Sequence, residues 1–141
     1  MFKKILVAMD GSDMSTKAFE TALLLAGEHE SMLSLVNVGK SLAIPQGMVI
    51  DSIDDVYDSM RKEGEELLSK GKWLAESQGI TVETHYVEGD PAAQIIKLAK
   101  EGHFQLIVIG SRGLGPFKEM MLGSVSHRVS QLSHCPVLIV K

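Results

Sequence analysis

The chain of 141 residues contains one cysteine, Cys135. An internal disulfide is therefore excluded, and the composition fits a reducing compartment. The bland reading of Cys135 is a small buried residue. A basic excess is also missing: 14 Lys and Arg stand against 18 Asp and Glu, a net charge of −4. A broad cationic surface for nucleic acid is not expected from that balance. No apolar run approaches the roughly 20 residues that a membrane span needs. The start, Met1-Phe2-Lys3-Lys4, runs straight into a short apolar stretch, without a long apolar region or a small-residue cleavage site. The expectation is a cytoplasmic protein with neither a nucleic-acid nor a membrane partner.

Familiar catalytic patterns are scarce as well. There is no Gly-x-Ser-x-Gly nucleophile elbow. The histidines at 29, 85, 103, 127 and 134 have no close ligand spacing, and none joins Cys135 in a metal-site pattern. No general acid–base pair stands out. Val38-Gly39-Lys40-Ser41 imitates the end of a Walker loop, but Ser34 occupies the earlier glycine position and a loop, not a helix, is expected next. Gly113-x-Gly115 imitates a dinucleotide fingerprint, yet Lys118 takes the third glycine position.

What is present reads as one domain over residues 1–141, with 45% hydrophobic and 23% charged residues, enough to build a core. Ile5 to Met9 is an unbroken apolar run, as in a strand buried on both faces. A helix is expected from about Met14 to Gly27, capped by Ser12 or Asp13. Met32 to Val38 reads as the second strand, and Gly39 to Ile50, with Pro45 and Gly47, as a loop. Met48, Val49 and Ile50 in it can cover a site or join a subunit contact. Asp51 or Ser52 opens a long helix to about Gln78, closed by Gly79. Ile80 to Val87 is the third strand. Asp90-Pro91 is a strong helix start, and Gly102 ends that helix. Leu106 to Ile109 is the fourth strand, a helix runs from about Ser124 to Ser133, and Pro136 to Val140 is the fifth strand. Such βα alternation implies an α/β fold: an open, five-stranded parallel sheet, Rossmann-like, with helices on both faces. Ligands on these sheets bind beyond the carboxyl ends of the strands, where strand order reverses.

Gly110-Ser111-Arg112-Gly113 leaves the fourth strand at such an end, and Gly123-Ser124 follows at a helix start. Glycines let a backbone approach a ligand, and a helix start supplies unpaired N–H groups and positive potential. Together they suit a di- or triphosphate. A plain surface loop with Ser124 as N-cap is the alternative. Asp10, at the end of the first strand, can accept from ribose hydroxyls or face a magnesium ion, or it can be an ordinary turn residue. The backbone of Val38 can bond an adenine edge, although a core strand residue reads the same way. Arg112 and Lys118 can neutralise phosphate or simply be solvated.

These residues resemble a known family. Gly110-x2-Gly113-x9-Gly123-Ser124 matches the Gly-x2-Gly-x9-Gly-(Ser/Thr) signature of single-domain universal stress proteins of the ATP-binding type. Ile5 to Ser12, Gly89-Asp90-Pro91 and Cys135 to Val140 are similar to the family as well, so the resemblance covers the whole chain. It implies the strand order 3-2-1-4-5. It implies that Asp10 contacts ribose or metal, that Val38 binds adenine, and that Gly110, Gly113, Gly123, Ser124 and Val125 wrap ribose and phosphates. ATP with a magnesium or manganese ion is the implied cofactor. The metal's protein ligands are left open. Hydrolysis is expected to be slow at most. A homodimer through Val137, Leu138, Ile139 and Val140 is also implied, since an apolar last strand without an inward charge leaves an open edge. The resulting expectation is a regulatory stress-response protein that holds ATP for an unknown protein partner. A nucleotide-free interaction module or an adenylyl-transferring enzyme is the alternative. The enzyme reading lacks the Ser-Gly-Gly-x-Asp-Ser type loop and the His-x-Gly-His motif of such catalysts.

Overall fold

The computed structural model describes residues 2–42, 50–113 and 122–141. Nine elements alternate along them: β1 (Lys4–Ala8), α1 (Asp13–His29), β2 (Met32–Lys40), α2 (Ile50–Ser77), β3 (Val82–Gly89), α3 (Pro91–Glu101), β4 (Leu106–Gly110), α4 (Ser124–Leu132) and β5 (Val137–Val140). All strand pairs are parallel, in the order β3-β2-β1-β4-β5. The switch of direction falls between β1 and β4, as the resemblance implied.

The central strands are apolar because both of their faces are covered. Ile5, Val7, Leu33, Leu35 and Val108 face α1 and α2. Leu6, Val36, Ile107 and Ile109 face α3 and α4. Several of these side chains are fully buried, each stabilising the fold by about 1.5–3 kcal/mol. Among the described residues, no helix is long and apolar enough to cross a membrane.

Local chemistry sets the boundaries. Ser12 caps α1: its hydroxyl accepts from the Ser15 N–H at 3.1 Å. The helix runs past Gly27 to His29 and stops where Glu30 turns left-handed, at φ 52°. Gly79, at φ +78°, closes α2, and the Ile80 N–H donates to the Ala75 carbonyl at 3.0 Å. That bond commits Ile80 to the helix end, so β3 starts two residues later than expected. β2 extends two residues beyond Val38 because β3 pairs with it as far as Lys40 against Gly89. Asp90 caps α3 through the Ala93 N–H at 2.9 Å, with Pro91 in the first turn. The N-cap of α4 is Gly123, and Ser124 is the first helical residue.

Candidate functional site

The strand ends at the switch point open into a cavity of about 670 Å³. Its floor is the carboxyl end of the sheet, and the first residues of α3 and α4 stand on one side of it. The expected residues converge here. Asp10 and Val38 line it from β1 and β2. Gly110, Arg112 and Gly113 line it from the β4 exit, and Gly123, Ser124 and Val125 from the start of α4. Lys118, Met48 and Val49 lie outside the described residues.

Asp10 is held in place by its own turn. Its Oδ1 accepts from the Ser12 N–H at 2.8 Å. Its Oδ2 reaches across the crevice to Gly113, where an added Cβ would stand only 2.6 Å away. The β1 and β4 loops thus face each other, and the missing side chain at 113 makes room for the carboxylate.

Gly110 has a different reason to be glycine. A Cβ there would fall 2.8 Å from the Met14 carbonyl carbon and 2.9 Å from its oxygen, both backbone atoms of α1. The first turn of α1 can lie on β4 only without it. Gly123 is the reverse case. A Cβ there would meet its nearest neighbours at 3.5 Å, an ordinary contact, and its φ of −61° suits any residue. Among the described residues, the protein's own packing accepts a Cβ there.

Buried serines fix the α4 end. The Gly123 N–H donates to the Ser111 carbonyl at 2.8 Å, and the Ser126 hydroxyl donates to the same oxygen at 2.9 Å. The start of α4 is therefore tied to the exit of β4. α3 and α4 are joined in turn by Asp90, whose Oδ2 also accepts from Arg128 Nη1 at 2.9 Å. The Ala93 N–H, reinforced by Arg128, holds the Asp90 carboxyl below its ordinary range.

The parity of the ladders decides where Val38 points. Leu33 donates to Thr81 beside β3, whereas Val36 accepts from Met9 on the β1 side at 2.8 Å. Alternate residues of a strand direct their peptide groups to opposite sides. Val38 therefore presents its N–H and C=O to the side that β1 vacates beyond Ala8, at the cavity.

Other lining residues escaped the sequence reading. Lys40, set aside within the Walker imitation, lines the cavity, as do Asn37 from β2 and Pro91 and Ile95 from α3. Met60, Glu63, Gly64 and Leu67 of α2 form a further wall. The extension of β2 to pair with the run before Asp90 was the one available signal for Lys40. Nothing local to α2 indicates its wall.

Among the described residues, no group of three or more His, Cys, Asp or Glu gathers to hold a metal. Asp10 and Glu63 are the carboxylates of the described lining. The arrangement offers backbone donors and a helix start on one side, a carboxylate at the centre and an apolar slot on the other.

Comparison with known proteins agrees with this architecture. The universal stress protein family model matches residues 1–141. The universal stress protein YxiE of Bacillus subtilis is 47% identical, over all of this chain and all of that protein. Among solved structures, the universal stress protein UspA from Lactobacillus plantarum has a TM-score of 0.92 at 22% identity, covering 99% of this chain and 98% of that one. At that identity it speaks for the fold alone. A universal stress protein solved in complex with cAMP has a TM-score of 0.74 at 27% identity, covering 99% of this chain and 97% of that one.

Proposed function

The chain belongs to the universal stress protein family, and from that premise we propose that it binds an adenine nucleotide, ATP in preference, and holds it with little turnover. The observation that carries this reading is the convergence of Asp10, Val38, Gly113 and the Gly123-Ser124-Val125 helix start on one cavity. The cAMP bound by a relative at 27% identity supports the adenine class. ATP is favoured over shorter nucleotides by the unpaired N–H groups at the start of α4.

In this reading the Val38 N–H and C=O hold the base, Asp10 accepts from the ribose, and the α4 start holds the phosphates. Arg112 and Lys40 balance charge at the rim. A magnesium or manganese ion would be held chiefly by the phosphates, since the described residues supply no ligand cluster of their own. Asp10 is engaged with the Ser12 N–H, Glu63 stands on the α2 wall away from the α4 start, and no described lining residue is a histidine or cysteine that would activate water. Slow hydrolysis at most follows, with conformation or partner choice as the output.

The test is calorimetry with ATP, ADP, AMP and cAMP, with and without Mg²⁺. Tightest binding of ATP, strengthened by the ion, is expected. No heat from any of the four at millimolar concentration sinks the proposal.

The second copy of the chain is the proposed partner, through β5. Pro136 and Val140 accept from β4, at Ile107 and Ser111, so the outward peptide groups belong to Val137 and Ile139. Leu138 is 36% exposed on this edge, and an unprotected apolar edge invites pairing. Leu138→Lys leaves the β4–β5 ladder intact and is expected to shift sedimentation from dimer to monomer. An unchanged dimer would place the interface elsewhere.

A further inference from the structure

Asn37 stands where β1 and β2 part. Their register pairs Lys4 to Ala8 with Met32 to Val36, and one more rung follows, Met9 N–H to the Val36 carbonyl at 2.8 Å. A regular parallel ladder would continue with the Val38 N–H donating to the Met9 carbonyl. That carbonyl instead accepts from Asn37 Nδ2 at 2.7 Å. Among the described residues it receives no backbone N–H.

The other end of the same carboxamide lies against the α2 backbone. A Cβ on Gly64 would stand 2.5 Å from Asn37 Oδ1, so only a glycine there lets the amide sit where it does. Asn37, Met9, Val38 and Gly64 all line the cavity.

We infer that Asn37 is a positioning residue for base recognition: it occupies the Met9 carbonyl, ends the β1–β2 ladder one rung early, and keeps the Val38 backbone open to the ligand. The inference rests on the adenine nucleotide reading of this cavity. Adenine presents an acceptor at N1 beside a donor at its 6-amino group, which match an N–H and a C=O on one strand edge. Hypoxanthine presents the reverse order at those two positions. An open Val38 therefore favours adenosine over inosine, and a Val38 N–H consumed by Met9 loses that preference.

Asn37→Leu keeps the size and removes the amide. Two readouts follow it: amide hydrogen exchange in the ligand-free protein, and affinity for adenosine and inosine. In the unaltered protein the Val38 amide is expected to exchange faster than that of Val36, which lies inside the ladder. In Asn37→Leu the Val38 amide slows, adenosine affinity falls about tenfold, the worth of one hydrogen bond, and the preference over inosine shrinks.

A purely structural role for Asn37 would speed exchange across β1 and β2 together and weaken both nucleosides alike. That result overturns the inference. So does an unaltered protein whose Val38 amide is as protected as that of Val36, a measurement that needs no variant to fold. If the unaltered protein binds neither nucleoside nor ATP, the nucleotide reading falls and base selection falls with it. The Val38 exchange rate separately decides whether Asn37 holds the ladder open.

Discussion

On the β4–α4 side of the cavity the chain presents backbone, and on the β2–α2 side it presents side chains, from the end of a strand and from the middle of the helix that follows it. The first turn of α4 offers N–H groups, and Gly113 and Gly123 present bare backbone beside it. Opposite them, Asn37, Lys40, Met60, Glu63 and Leu67 supply amide, charge and apolar surface. A site for phosphates needs donors that do not have to be desolvated one side chain at a time. A site for a base needs a flat apolar slot with a few placed polar groups. The contrast between the walls is the physical basis for assigning an end of the nucleotide to each.

Glycines within the same signature separate fold from ligand, and the largest expected effect lies there. Gly110→Ala drives a Cβ into the Met14 backbone, and neither β4 nor the α1 turn can yield cheaply. A loss of about 1–3 kcal/mol in urea unfolding is expected, as for overpacking in a core. Unchanged stability would mean that α1 docks more loosely than its contacts with β4 indicate. Gly113→Ala comes next. Its Cβ would displace Asp10 Oδ2, the far end of an exposed side chain whose other oxygen carries the turn bond, so stability holds while ATP affinity drops about tenfold or more. Gly123→Ala sharpens the comparison further. The protein accepts that Cβ at 3.5 Å, so a fall in affinity greater than the small change at the N-cap indicates a ligand in the space. Equal affinity moves the phosphates away from α4.

The same contrast explains what the sequence reveals. A strand, a glycine turn and a helix start are adjacent in the chain, so their local rules suffice. Ser12, Asp90 and Gly79 act as the caps expected of them, and the Gly110–Ser124 signature meets Asp10 at the predicted switch point. The strand order itself came from the family resemblance, since alternation alone admits several orders. The α2 wall was not legible, because Gly64 reads as a weak helix position until Asn37 and Tyr86 are seen against it. Lys40 does not belong to a Walker loop, and it lines the cavity because β2 runs on to pair with β3 as far as Gly89. Gly110 is expected to wrap ribose and phosphates with its neighbours and does line the cavity; its missing Cβ is also required by the approach of α1, a contact that chain order does not show.

The smallest effect concerns how the two helix starts are held together. Asp90 joins α3 to α4 by accepting from the Ala93 N–H and from Arg128 with one oxygen. Because its folded carboxyl titrates below the ordinary 3.8, the charged form is favoured by folding. Its contribution is fully present above that ordinary value and is lost as pH falls through the lower folded one. Both partners are about half exposed, so the ion pair contributes little by itself. The N-cap bond comes first among the causes of the shift. Asp90→Asn keeps a capping oxygen and removes the charge, and Arg128→Ala keeps the cap and removes the partner. Each is expected to flatten the acid limb of a stability-against-pH curve below about pH 4 and to leave the neutral plateau nearly level. The double variant should be no flatter than Asp90→Asn, since removing the charge already removes the titration. A neutral plateau that drops steeply in Arg128→Ala alone would show that α4 depends on this bond for its place, more than on the Ser111 and Ser126 tie at its first turn.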